Sequence, residues 1–353
     1  MAADPAPDRL RPAQSSGRVC LLTGATQGIG LAAARELCRI EPDLTLVLVA
    51  RDAGRGAAVV AELAAQHRAP VELLVGDLSS QAEVRRLAAE FCARHDRLHI
   101  LINNAGAVFT RRQLSRDGIE MTWALNHLSY FLLTNLLLDT LKASAPARII
   151  NVASRAHKRV PGIDFSDLQS EKTYAGMRVY GQSKLANILF TKELARRLAA
   201  SGVTANCLHP GVVRTGFALR TRSLLELAYR LMGPFIRTPE QGAKGLVYLA
   251  TADAVKDVTG AYFIDDRPAR VSRAAGDPAV EGQEAGIPAH DLQHHDPPVA
   301  GGGGGEPVQR PAHHVHGAEE ADREFGAGHV VVDGLGNPYP GNLGRRQQPV
   351  EQA

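Results

Sequence analysis

Apolar residues along this chain gather into short runs separated by longer stretches of mixed pattern. The runs are "RVCLLTG", "LTLVLVAR", "VELLVGDL", "LHILINNAG", "ARIINVAS", "TANCLHPG" and "GAYFID", between about Arg18 and Asp266. Each is nearly continuous rather than alternating, the pattern of strands buried on both faces. The intervening stretches have helical character, so strand, helix and strand follow one another as βαβ units. Such units cross over right-handed and build a parallel sheet. The expectation is one α/β domain with a doubly wound sheet of about seven strands and helices on both faces.

Outside that span the pattern fails. Residues 1–16 carry acids and prolines with no apolar stretch, so they do not read as a secretory signal and are expected to be disordered. The folded domain is expected over residues 17–270. Residues 271–353 contain "GGGGG", many prolines and more than half of the 13 histidines. Such a composition buries too little surface to offset ordering entropy, which predicts a disordered tail. Its clusters "HDLQHH" and "HHVH" are a weak metal pattern, more often incidental in a tract of this kind, so no metal site is expected.

Bulk properties narrow the function only a little. A chain of 353 residues that is 44% apolar can bury a sizeable core. The formal net charge of +3 lies on arginines scattered beside acids, which gives no reason to expect a nucleic-acid partner. Cys20, Cys38, Cys92 and Cys207 are far apart in sequence and form no metal-ligand spacing. Free thiols suit a reducing compartment, so a cytoplasmic location is expected. The apolar run "FLLTNLLL" is too short to cross a bilayer, so no membrane span is expected.

Candidate chemistry begins at "TGATQGIG", Thr23 to Gly30, between the first apolar strand and a helix. Gly24 allows a tight turn, Gly28 lets backbone approach a pyrophosphate, and Gly30 allows close packing of helix on strand. Thr26, Gln27 and Ile29 complete a loop that delivers phosphates to a helix N-terminus. A loop of this kind in this context points to a dinucleotide and a sheet of Rossmann type. The tip of the second strand then chooses the cofactor. Arg51 offers a planar cationic fork for a 2′-phosphate, which favours NADP(H). Asp52 follows directly and keeps NAD(H) possible, since an acid there accepts from a ribose hydroxyl. Asp77 and Leu78 in "GDL" mark the third strand tip, where the carboxylate is placed to accept from an adenine amino group.

Tyr180 and Lys184 stand four residues apart in "RVYGQSKLANILF", on one face of a helix. Taken alone, such a pair is more often a snorkelling lysine beside a half-buried ring. The functional alternative is a phenol whose pKa is lowered by the ammonium for proton exchange with an alcohol oxygen.

"TGATQGIG", "INNAG", "LNH", "INVAS", "YGQSK" and "HPGVVRT" occur in order, and together they resemble the short-chain dehydrogenase/reductase superfamily. "NHLSYFLLTNLLL" and "YGQSKLANILFTKELARRL" are similar to its retinol-dehydrogenase-like branch. The resemblance implies an oxidoreductase interconverting alcohol and carbonyl. Tyr180 would serve as acid or base, and Lys184 would also hold nicotinamide ribose hydroxyls. Ser154 would orient the substrate oxygen, and Asn126 would support a water-linked proton path from the lysine. It also places Asn104, Ala105 and Gly106 beside the adenosine ribose, with Asn103 bracing the sheet or the cofactor. Pro210, Gly211, Val213 and Thr215 would form the loop against the nicotinamide carboxamide or pyrophosphate.

Leu224, Leu225, Leu227, Tyr229, Leu231, Met232 and Phe235 are read equally as pocket lining and as packing. A lipophilic aldehyde, ketone or alcohol is the expected substrate. The branch's membrane-bound members begin with an apolar anchor, and the opening residues of this chain show none. The resemblance also implies pairing through helices over 117–143 and 174–200, so a homodimer or homotetramer is the expectation. The alternative of another class is an NADP(H)-binding sensor or scaffold without turnover; the complete Ser154, Tyr180 and Lys184 set argues against it.

Overall fold

The computed structural model describes residues 17–213, apart from 67 and 69, and residues 237–276. Expectations for residues 1–16, for Thr215, for the candidate lining residues 224–235 and for the histidine clusters lie outside the described residues.

The continuous apolar runs become the strands β1 (Val19–Thr23), β2 (Thr45–Ala50), β3 (Val71–Val75), β4 (Ile100–Asn103), β5 (Ala147–Val152), β6 (Val203–His209) and β7 (Tyr262–Ile264). Their order across the sheet is β3-β2-β1-β4-β5-β6-β7, all parallel. The order reverses between β1 and β4, which opens a crevice at their carboxyl ends.

An eighth strand, β8 (Arg267–Pro268), turns back antiparallel on β7. Two residues are too few to show as an apolar run, so the sequence pattern stopped at seven. The turn between them places Asp265 at φ 60°, a left-handed conformation that aspartate tolerates better than most residues.

Alternate residues of each strand feed two cores. Cys20, Leu22, Leu46, Leu48, Ile100 and Ile102 face the helices α1 (Gly28–Ile40) and α2 (Ala53–Gln66), together with the last long helix. Leu21, Val47, Val49, Leu101 and Ile149 face α3 (Gln81–Arg94) and the helices that follow β4. Those are α4 (Met121–Trp123), α5 (Ser129–Leu136) and α6 (Leu138–Ala143). The long α7 (Gly176–Arg197) lies on the same side and buries Leu185, Ile188, Leu189 and Phe190. The last helix, α8 (Pro239–Thr251), starts on a capping box in which Thr238 and Gln241 satisfy each other's backbone N–H.

The packed chain runs past the composition break at residue 270. Ala275 is fully buried beside Leu185 and Tyr262, and the Ser272 N–H donates to His157 Nε2 at 3.1 Å. Short side chains in a single turn leave no apolar signature, which is why the pattern ended earlier.

Candidate active site

At the sheet's reversal point the two strand tips are tied together. Thr23 Oγ1 accepts from the Asn104 and Ala105 N–H groups at 2.9 and 3.1 Å and donates to the Ile102 carbonyl at 3.3 Å. The Asn104 amide donates to the Thr23 and Gly24 carbonyls at 2.9 and 3.2 Å. Asn104 therefore shapes the glycine loop, a role that its position in "NNAG" alone did not reveal. Gly24 and Gly28 adopt φ 72° and 57°, where a side chain is strained. A Cβ on Gly30 would lie 2.3 Å from the Gly24 carbonyl oxygen and 2.6 Å from Asn104 Nδ2, so helix and loop touch there. Gln27 precedes α1 with no side-chain cap, leaving the first N–H groups of the helix to an anion. These features fit a dinucleotide pyrophosphate.

The second and third strand tips flank that loop. Arg51 is exposed and has no ion-pair partner among the described residues. Asp52 turns instead to α2, accepting from the Arg55 N–H at 2.9 Å. Asp77 uses one carboxylate oxygen on the Ser79 N–H and hydroxyl, at 3.0 and 2.7 Å, while Leu78 is buried.

Across the sheet, Ser154 follows β5 and its hydroxyl accepts from the Ala156 N–H at 3.2 Å. The same hydroxyl hydrogen-bonds the Tyr180 phenol. Lys184 is 2% exposed and donates to the Val152 carbonyl at 2.9 Å. Its ammonium lies 5.2 Å from the ring centre of Tyr130 and 5.8 Å from that of Tyr180. The cation is thus held between two aromatic rings.

The electrostatics correct one expectation. Burial pushes the Tyr180 phenol up to about 12, with the Ser154 hydrogen bond opposing, so the phenol is neutral at pH 7. Burial also lowers Lys184 to about 7, which weakens the stabilisation that a full ammonium would give a phenolate. Spacing along a helix reports which groups meet, but not how much water they lose.

Asn126 lies in a π-helical turn, Ala124–Leu128, between α4 and α5. Glu120, fully buried, starts α4 by accepting from the Thr122 and Trp123 N–H groups at 2.9 and 3.0 Å. The wider turn presents the Asn126 side chain to the loop after β4, where it accepts from the Ala107 N–H and donates to the Ala107 carbonyl, both at 2.8 Å. Its amide also reaches Ser183 Oγ at 3.3 Å. The side chain is a brace. Asn103 likewise braces the sheet, donating to Asn151 Oδ1 and Thr134 Oγ1 at 2.9 and 3.0 Å.

Sequence reasoning missed Tyr130, whose ring supports Lys184 and whose hydroxyl donates to the Ala105 carbonyl at 2.8 Å. It read as one more apolar position in "NHLSYFLLTNLLL".

Beyond β6, Pro210 and Val213 are buried and Gly211 has φ 92°. A Cβ on Gly211 would lie 2.5 Å from Arg237 Cδ, and Arg237 is in turn ion-paired with Asp265. His209, buried at the end of β6, stands beside this loop.

A parallel sheet with a glycine cradle at its reversal point, and serine, tyrosine and lysine gathered beside it, defines a nicotinamide-dependent oxidoreductase working between alcohols and carbonyls. The chain belongs to the short-chain dehydrogenase/reductase family, in its retinol-dehydrogenase-like branch. The short chain dehydrogenase profile matches residues 18–224. The sequence is 43% identical over 263 residues to retinol dehydrogenase 12 of Homo sapiens, covering 74% of this chain and 82% of that one. It is 40% identical over 260 residues to retinol dehydrogenase 11 of Mus musculus, covering 73% and 81%. Among solved structures it matches an uncharacterised protein from Mycobacterium paratuberculosis at TM-score 0.60 and 31% identity, over 77% of this chain and 91% of that one. A candidate NAD(P)-dependent gluconate 5-dehydrogenase from Beutenbergia cavernae with bound NADP matches at TM-score 0.59 and 26% identity, over 71% and 95%.

Proposed function

We propose that the protein uses NADP(H) to interconvert lipophilic aldehydes or ketones with their alcohols. The observation that carries this reading is the Ser154–Tyr180–Lys184 group beside a glycine cradle whose neighbouring strand tip presents an exposed Arg51 with no ion-pair partner among the described residues. The relatives named retinol dehydrogenases support an apolar substrate.

The glycine loop, Thr26 and the start of α1 would hold the pyrophosphate, and Arg51 the 2′-phosphate. Asp77 and the stretch Asn104–Gly106 would hold the adenosine end, while Lys184 and the Pro210–Val213 loop would hold the nicotinamide end. When bound, the cofactor supplies or accepts the hydride. Ser154 and Tyr180 converge on the substrate oxygen, and the phenol donates its proton as that oxygen gains negative charge. A phenol near 12 is protonated at neutral pH, the state a donor needs. Lys184, donating to Val152 close to the phenol, stabilises the phenolate left behind. In alcohol oxidation the same groups run in reverse.

The test is turnover of a panel of long-chain aldehydes and alcohols with NADPH, NADP, NADH and NAD. Tyr180→Phe should lower kcat by about 10²- to 10⁴-fold while leaving cofactor binding intact. Tight cofactor binding with no turnover across the panel would favour a sensor and sink the catalytic reading.

A further inference from the structure

Asn187 lies three residues past Lys184 on α7 and is fully buried. Its Nδ2 is 2.9 Å from the Asn126 carbonyl oxygen and 3.3 Å from the Val152 carbonyl oxygen. Its Oδ1 is 3.0 Å from His127 Nδ1. Two backbone carbonyls can only accept, so the amide NH₂ must face them and Oδ1 must face the imidazole. His127 Nδ1 must then carry a proton.

The imidazole is held for that task. It is buried, edge-on to Trp123 at 5.6 Å and to Phe190 at 6.3 Å between ring centres. Burial lowers its pKa to about 4, so the ring is neutral and has a single N–H to give.

The two carbonyls are those of the active site. Val152 is the acceptor of Lys184, and Asn126 is the residue whose side chain clamps Ala107. We propose that Asn187, oriented by the Nδ1–H of His127, is a positioning residue that holds the Asn126 and Val152 carbonyls in register with the Lys184 ammonium. The inference rests on the catalytic reading above and adds to it two buried residues, His127 and Asn187, that act through the backbone around Lys184. Losing the Asn187 amide leaves the buried Asn126 carbonyl without its Nδ2 partner, and the neighbouring backbone must shift to answer it. A shift of that kind near Lys184 is enough to change the rate.

Two variants separate the hydrogen bond from the packing. His127→Phe keeps an aromatic ring between Trp123 and Phe190 but removes the donor. His127→Asn removes the ring but restores an N–H close to where Nδ1 stood. The expected result is that His127→Phe and Asn187→Leu lower kcat by about tenfold to a hundredfold with substrate KM little changed, and that His127→Asn recovers most of the rate. The reverse order, with the phenylalanine variant active and the asparagine variant impaired, would show that His127 merely packs and would overturn the proposal. The ¹⁵N spectrum of the labelled imidazole gives a readout independent of turnover. The wild type should show Nδ1 protonated and Nε2 bare between pH 6 and 8, and Asn187→Leu should show mixed tautomers. An Nε2–H wild type would overturn the clamp. A wild type that turns nothing over would refute the proposed reaction, while the imidazole spectrum would still decide the clamp.

Discussion

Gly24 and Ala105 meet backbone to backbone where the sheet reverses: a Cβ on Gly24 would lie 2.8 Å from the Ala105 Cα. With φ at 72°, the position adds conformational strain to that collision. Gly24→Ala should cost about 1–3 kcal/mol of stability. Because the same shift spreads the loop tied by Asn104, cofactor affinity should fall as well. Thermal melting and a cofactor titration on one preparation check both effects.

Arg51 should discriminate between the two nicotinamide cofactors. Removing a charge-assisted contact costs about 1.5–3 kcal/mol, so Arg51→Ala should weaken NADPH binding by roughly tenfold to a hundredfold. NADH binding should hardly move. Equal losses for both cofactors would count against a 2′-phosphate contact.

Gly106 leaves room beside Asn126 and Lys184. A Cβ there would come within 3.1 Å of Asn126 Oδ1 and 3.6 Å of Lys184 Nζ. Gly106→Ala is expected to keep the fold and its melting temperature within a few degrees. Its kcat should fall about tenfold or more, since misplacement alone can cost that much. Steady-state kinetics beside a melting curve distinguishes the two.

Lys184 is expected to work against stability below neutral pH. Its folded pKa of about 7 lies below the ordinary 10.5, so the unfolded chain holds a proton that the folded chain has lost between those values. Stability therefore rises with pH across that window, and the burial cost is full below pH 7. Lys184→Met should be more stable than the wild type at pH 6, by on the order of 1–4 kcal/mol, while abolishing turnover. A lower melting temperature would show that the Val152 bond and the aromatic rings outweigh the cost.

Acid should unfold the protein partly through two histidines. Burial holds His127 and His209 at about 4, below the ordinary 6.5. Between pH 6.5 and 4 the unfolded chain gains protons that the folded chain refuses, so stability falls as pH drops. His127→Asn should flatten the slope of denaturation free energy in that range.

Much of this arrangement was legible in the residues themselves. Strands buried on both faces left continuous apolar runs, and a glycine loop between strand and helix identified the reversal point. The four-residue step from Tyr180 to Lys184 put them on one face, as found. What escaped depends on groups distant in sequence. Nothing near Asn126 says that its side chain will grip Ala107, because a π-helical turn sets that direction. The division between Arg51 and Asp52 escaped for another reason, since it is a matter of local geometry: Asp52 accepts from the Arg55 N–H three residues on, and Arg51 has no ion-pair partner among the described residues. Asn187 did leave a trace: one polar residue among Leu185, Ala186, Ile188 and Leu189, all buried, had to find partners.

The turn back at Arg267–Pro268 also governs how the sheet meets its surroundings. Without it, β7 would present a bare row of donors and acceptors, an invitation to strand addition by another chain. β8 occupies that row for two residues, and the Ala269 N–H continues the pairing on the Tyr262 carbonyl at 2.7 Å. The outward strand is then too short to template a newcomer, and its proline has no N–H to offer. A reversal barely long enough to count as a strand acts as a stop against edge-to-edge aggregation.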